Sequence, residues 1–371
     1  MPRPAPVPWS CVPPCTWVTT KEVLQHSYHP PFLSDVQTKL PDPPATWQGK
    51  TLRIRGPRQR KGESGFFVYV VWALNAIEFA LHNGLTYCIF LDGTNNPYWS
   101  DARHLSGTGM SNLWQDFFVI PTSSESRRCE GLQESQVLEL SEGHFSGRRH
   151  KTEEAAGWTL YLQRSALKAF PAGDCPPSAC GSYEWYRQMR MRGVRLVENH
   201  LRVQPEIARI ADDFWVEWGL RGNRVLAAHC RGTDKIWGVK IGPSKYYPLF
   251  TKWLRAHGGR GRVFVATDDP GWMSEIADWG AKNFPGKIVW RNATRSTKNA
   301  FLSNSGDPYV KAVDVIVDVL LLSRADFLLK STTNVAEMAI YFSPNGALVN
   351  HSYDFEIKDH PKLADIGFPR L

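Results

Sequence analysis

Asn223-Arg-Val-Leu-Ala-Ala-His229-Cys-Arg231-Gly-Thr-Asp234-Lys235 decides the fold. A short apolar run over residues 225–229 breaks into a polar, mostly cationic cluster. So short a run, bounded by turn residues, predicts a buried strand and not a helix. The same pattern repeats downstream, with apolar runs at 263–267, 287–290, 327–330 and 347–349. Helical stretches separate them at 243–256, 272–281, 309–323 and 334–342. Five strands alternating with four helices predict an α/β fold with a doubly wound parallel sheet, whose ligands bind at the carboxyl ends of the strands.

That rule selects residues. The first strand ends in His229, Arg231, Asp234 and Lys235, the second in Asp268 and Asp269, and the fourth in Ser331-Thr332-Thr333-Asn334. Arg and Lys match phosphate oxygens by charge, Arg through a two-pronged fork. A hydroxyl-rich turn entering a helix offers free backbone N–H groups and a positive dipole end. Together they predict a diphosphate held between two strand ends. Asp318 stands mid-helix among Val and Leu, with Asp314 one turn earlier. A carboxylate there is costly to bury unless paired. Either Lys311, Asp314 and Asp318 form an exposed stripe, or Asp318 accepts hydrogen bonds from the N–H edge of a guanine.

Outward toward the N-terminus the signal weakens. Residues 1–50 are Pro-rich and aperiodic and predict an extended lead-in without core residues. Residues 66–81 are apolar and Ala-rich enough for a buried helix, ended by Asn83-Gly84, and 87–91 form a short strand. Loop, helix and strand in this order open a second α/β unit, so domains are expected at 51–205 and 206–371. Residues 94–180 show no periodicity. Gly107-Thr-Gly109 within them lacks a preceding strand and a third glycine, which disfavours a NAD-dependent oxidoreductase. A helical stretch over 182–209, punctuated by Gly193 and Pro205, is expected to lead into the second domain.

The chain has 371 residues, enough for two domains, and its 42% hydrophobic and 22% charged residues are ordinary globular values. The net charge of +8 favours anionic partners in general. The basic runs at 53–61 and 187–195 read as solvated faces. No basic groove interleaved with aromatics supports nucleic acid as a partner. Fifteen Trp suit core packing, and also sugar-binding surfaces. The seven Cys show no zinc spacing, so no metal is expected. Cys11/Cys15 and Cys175/Cys180 would be short disulfides in an oxidising compartment. Asn292-Ala-Thr294 and Asn350-His-Ser352 are glycosylation sequons, of a kind that chance also produces. No apolar run reaches the roughly 18 residues of a membrane span, so the chain as given is expected to be soluble. Its compartment stays open: a secretory lumen if an anchor lies elsewhere, otherwise the cytoplasm.

His229-Cys-Arg231-Gly-Thr-Asp234-Lys235 after an apolar strand resembles the GDP-binding motif of the core α1,6-fucosyltransferases. The nodulation and protein O-fucosyltransferases share its His-x-Arg core. Ala266-Thr-Asp-Asp-Pro270 is similar to the same family's second strand end. The segment from Asp318 to Leu328 resembles its helix–strand motif. The match covers roughly 223–345 and thins in the first half to Gly62-Glu-Ser-Gly65.

The resemblance implies a GT-B architecture, two Rossmann-like domains facing across a cleft. It also implies inverting transfer of fucose from GDP-fucose, with neither metal nor cofactor. Arg231 and His229 would then hold the departing β-phosphate, and Asp234 and Lys235 would order their loop and the sugar. Asp268 and Asp269 would line the donor pocket, Asp318 would read guanine, and Thr333 and Asn334 would touch phosphate. This reading requires Arg231 to face the cleft and not to be locked in an internal ion pair. The family's Glu after the Asp-Lys pair is missing from 236–243. Glu63 is the leading substitute as general base; Asp92, Asp269, His104 and a base-free transfer stay open. The acceptor is expected to be a glycan or a protein hydroxyl. Other GDP-sugars, and a non-catalytic binding relative, are the alternatives.

Overall fold

The computed structural model describes residues 45–55, 65–91, 96–107, 112–121, 124–139, 182–233, 239–296, 306–331 and 333–370. Glu63, Asp92, Asp234 and Lys235 fall outside these, as do Cys11, Cys15, Cys175 and Cys180.

The first parallel unit begins with β1 (Thr51–Arg55) and α1 (Phe66–His82), followed by β2 (Thr86–Phe90). α1 is apolar almost all round and is buried accordingly, its Val70, Val71, Leu74 and Ile77 fully so. It ends where Asn83 turns its amide back to the Phe79 carbonyl and Gly84 adopts φ +62°. β1 pairs in parallel with β2, from Thr51 opposite Thr86 to Arg55 opposite Phe90. It pairs on its other side with the short β4 (Val137–Leu138), giving the order β2-β1-β4. A disulfide between Cys88 and Cys129 pins β2 to the loop before β4. Between them lie α2 (Asp101–Leu105) and β3 (Phe118–Val119), the latter antiparallel to β5 (Arg202–Val203).

Two expectations for this half are corrected. The lead-in reaches the core, because Trp47 is buried against Phe79 with ring centroids 5.7 Å apart. The stretch after residue 182 breaks before Pro205, as expected, into α3 (Tyr183–His200) and α4 (Pro205–Glu217), but not at Gly193. Gly193 lets α3 press on a later helix, since a Cβ at Gly193 would lie 2.6 Å from the ring of Tyr341.

The second sheet is the one the sequence predicts, with one change at its edge. β6 (Arg224–Cys230), β7 (Gly261–Thr267), β8 (Ile288–Trp290) and β9 (Phe327–Lys330) are all parallel. Residues 347–349 are not a strand. Asn345 and Gly346 take left-handed φ values of 53° and 65°, and a single helical turn follows, α9 (Ala347–Asn350). The edge strand is β10 (Ser352–Asp354), paired with β9, and the order is β10-β9-β6-β7-β8. The helices are α5 (Tyr247–His257), α6 (Pro270–Asn283), α7 (Pro308–Ser323) and α8 (Asn334–Tyr341).

Alternate strand residues face opposite ways, which splits the core in two. Leu226, Ala228, Cys230, Val263 and Val265 pack toward α5 and α6. Ala227, Phe264, Ala266 and Leu328 pack with residues of α7 and α8, in an apolar cluster continuous with α1. No helix among the described residues is long and apolar enough to cross a membrane.

Candidate functional site

The carboxyl ends of β6 and β7 open on a cleft pocket lined by His229, Arg231, Asp268, Thr294, Lys311, Asp314, Asp318 and Val335, with Tyr98 reaching in from the first half. The loop carrying Tyr98 is tied to the start of α7. The Ser100 hydroxyl donates to Asp307 Oδ2 at 2.7 Å, and Asp307 in turn caps α7 through the Tyr309 N–H. The pocket's volume is about 80 Å³, well below the roughly 300–1,000 Å³ of sites that surround a small molecule.

At one end of the pocket, His229 and Arg231 flank the last residue of β6 and are both buried. His229 Nδ1 lies 3.2 Å from the hydroxyl of Thr333, which also accepts from the Ala336 N–H as the N-cap of α8. One hydroxyl thus joins the β6 end to the start of α8, where Asn334 is the first helical residue. Arg231 Nη1 is 3.1 Å from Asp268 Oδ2, and both side chains are about nine-tenths buried. Asp268 also accepts from the Gly232 N–H at 2.8 Å and the Thr233 hydroxyl at 2.6 Å. Burial pushes the Asp268 carboxyl up, but Arg231, these two donors and His229 outweigh it and leave it below the usual carboxylate range. Arg231 lines the pocket but shares an ion pair, which the sequence reading did not want.

Asp269 does not join this wall. Its Oδ1 accepts from the N–H groups of Gly271 and Trp272, capping α6. Gly232 packs directly on it, a Cβ there falling 2.7 Å from Asp269, so the turn after Arg231 needs glycine.

The other end of the pocket belongs to α7 and the segment after β8. Lys311, Asp314 and Asp318 are partly buried and face the pocket, so they are not an exposed stripe. The two carboxylates differ in what occupies them. Asp314 is saturated: Arg291 Nη2 donates to Oδ1 at 2.6 Å, and the N–H and hydroxyl of Thr294 donate to Oδ2 at 2.8 and 2.7 Å. Asp318 accepts only from Arg291 Nε, at Oδ1 and 3.2 Å, and its Oδ2 makes no hydrogen bond among the described residues. Burial pushes the Asp318 carboxyl above the usual range, with Arg291 offsetting only part of the rise. Burial also lowers Lys311. Arg295 braces the wall by donating to the carbonyls of Thr267, Ala293 and Arg291.

Sequence reasoning missed Arg291, Thr294, Lys311 and Tyr98. The strand-end rule would have found Arg291, which directly follows β8. His104, one of the base candidates, stacks flat on Trp99 at 3.3 Å, with Nε2 3.8 Å from the buried Asp116. Among the described residues, no group of three or more His, Cys, Asp or Glu is arranged to hold a metal ion.

No protein-family model matches the chain, and no curated protein matches it either. Solved structures similar to it include fucosyltransferase NodZ from Bradyrhizobium, 15% identical over 79% of this chain and 92% of that one, with a TM-score of 0.43. POFUT1 in complex with GDP is 12% identical over 83% of this chain and 99% of that one, TM-score 0.45. An Arabidopsis thaliana FUT1 variant in complex with GDP is 11% identical over 84% of this chain and 72% of that one, TM-score 0.44. This chain's function has to be read from its own residues.

Proposed function

We propose that this protein is an inverting, metal-independent glycosyltransferase that moves fucose from GDP-fucose to a glycan or protein hydroxyl. The observation that carries the proposal is the polarity of the cleft pocket. The β6 end offers an imidazole and a guanidinium beside the start of α8; the α7 end offers a largely buried carboxylate with an oxygen unengaged among the described residues. A diphosphate suits the first end. A base edge carrying N–H donors suits the second, which favours guanine over uracil.

In transfer, the acceptor oxygen attacks the sugar's anomeric carbon as the bond to the β-phosphate oxygen breaks, and the electron pair leaves with GDP. Negative charge grows on the β-phosphate, so a cation already in place stabilises the transition state more than the ground state. Asp268 holds Arg231 in that place and shares its charge. His229, oriented by Thr333, supplies a second donor when its outer nitrogen carries a proton. Asp234 and Lys235 would order the loop, and Glu63 would take the acceptor proton.

Melting temperatures with GDP, UDP and ADP test the donor assignment. GDP should raise the melting temperature most, and Arg231→Ala should abolish the rise; equal shifts from all three nucleotides would count against it. The Arg231–Asp268 pair favours a second reading, a nucleotide-sugar-binding protein without turnover, because a paired guanidinium contributes less charge to a leaving group. Slow hydrolysis of GDP-fucose or another GDP-sugar, abolished by Arg231→Ala, would favour the enzyme. Binding with no hydrolysis or transfer from any donor would favour the second reading.

A further inference from the structure

Four charged side chains gathered around the end of β9 and the first turn of α8 have no part in the chemistry above. Arg190 of α3 grips Glu337 of α8 with two bonds, Nε to Oε2 at 3.0 Å and Nη2 to Oε1 at 2.7 Å. Lys330, the last residue of β9, donates to Glu337 Oε1 at 2.6 Å and to Asp354 Oδ2. Arg190 Nη2 lies 3.7 Å from Asp354. All four side chains are sealed from solvent, the most exposed at 4%. Two cations and two anions sum to zero.

Their position gives that sum a consequence. Lys330 is the last residue of β9, and Glu337 lies in the first turn of α8, two residues after Val335, which lines the cleft pocket. The network therefore grips the end of β9 and the first turn of α8, whose Val335 lines the pocket. A carboxylate in a first helical turn complements the helix dipole, but it repels an anion arriving at the same N–H groups. Burial should raise the Glu337 pKa, yet Arg190 and Lys330 hold it down at about 2, so its charge is present at neutral pH.

We propose that Arg190 is a positioning residue for the phosphate end of the pocket: by neutralising Glu337 across the contact between α3 and α8, it lets the start of α8 accept a diphosphate. The proposal rests on the nucleotide-diphosphate reading of the cleft and assigns a role to a residue outside it. Loss of Arg190 leaves Lys330 between two carboxylates, a net buried charge of minus one at the first turn of α8. At this depth the repulsion is weakly screened.

Calorimetric titration of guanosine and GDP separates the base end from the phosphate end. Arg190→Met should weaken GDP about tenfold while guanosine changes less than about twofold. Glu337→Gln, which leaves the network one charge positive, should tighten GDP severalfold. The double variant has a neutral network again and should return GDP affinity toward the wild-type value. A purely structural role for Arg190 would weaken both ligands alike and make the double variant no better than the single. Either that pattern, or a Glu337→Gln protein that binds GDP no more tightly than the wild type, overturns the proposal. The second comparison stands even if Arg190→Met does not fold. Wild-type protein that binds GDP no more tightly than guanosine would instead sink the diphosphate reading itself, and this inference with it.

Discussion

The ion pair in the pocket wall and the ion pairs between α3, β9, α8 and β10 are built differently. Arg231–Asp268 sits in the wall of the cleft, its carboxylate also fed by Gly232 and Thr233. Arg190, Glu337, Lys330 and Asp354 are sealed inside, each charge answered only by others of the same group or nearby protein atoms. A pair on a cavity wall can exchange a partner for a ligand, because the ligand replaces what is lost. A sealed pair has no such substitute, and breaking it leaves a buried charge. The first kind belongs with function, and the second with the placement of the elements that serve it.

The largest effect expected from this contrast is on folding. Lys330→Met removes the cation that lies between Glu337 and Asp354 and should lower stability by about 3–5 kcal/mol, read from urea unfolding. Arg231→Ala leaves Asp268 its two other donors and should lower it by no more than about 2 kcal/mol. Equal losses at the two sites would erase the distinction between wall and interior.

Turnover should rank them the other way. Arg231→Ala should slow hydrolysis or transfer of the GDP-sugar by about 10²-fold or more with the fold intact, as removal of a prepositioned charge-stabilising group does. A variant retaining near wild-type turnover would show that Asp268 consumes the guanidinium, and that the departing charge is met elsewhere.

What the sequence disclosed follows the same divide. Strands buried on both faces are continuous apolar runs with polar stops, so β6, β7, β8 and β9 were legible, and so were the residues at their ends. His229, Arg231, Asp268 and Asp318 meet in one pocket because strand order and a helix face bring them there. The run at 347–349 misled because three apolar residues carry no period; the left-handed Asn345 and Gly346 turn it into helix. The basic run at 187–195 looked like a solvated face, yet Arg190 is fully buried, its partner Glu337 lying 147 residues away. Arg53 of the other basic run is also largely covered, paired with Glu134 and Glu139. Cys88 and Cys129, 41 residues apart, likewise gave no local cue. Charge partners and disulfides distant in sequence are set by packing, and periodicity does not report them.

The smallest effect expected is also the most specific, because it separates the two carboxylates of α7. Asp314 is saturated by Arg291 and Thr294, whereas Asp318 retains an oxygen for a ligand and has its pKa raised by burial. In the empty protein a raised carboxyl pKa means that ionisation costs stability as pH rises above its ordinary value near 3.8. Asp318→Asn should therefore leave the empty protein as stable at neutral pH, or slightly more so. Guanine N–H donors favour the ionised form, so GDP affinity should be full above the raised pKa and fall as pH drops through it. The fall should begin above the pH at which an ordinary aspartate titrates. In Asp318→Asn the affinity should be lower, by about tenfold, and flat across the same range. Calorimetry of GDP binding between neutral and mildly acidic pH reads both slopes. An unchanged slope in the variant would move the base-reading role away from Asp318, while a variant that unfolds at neutral pH would make its carboxylate a structural partner of Arg291, as Asp314 already is.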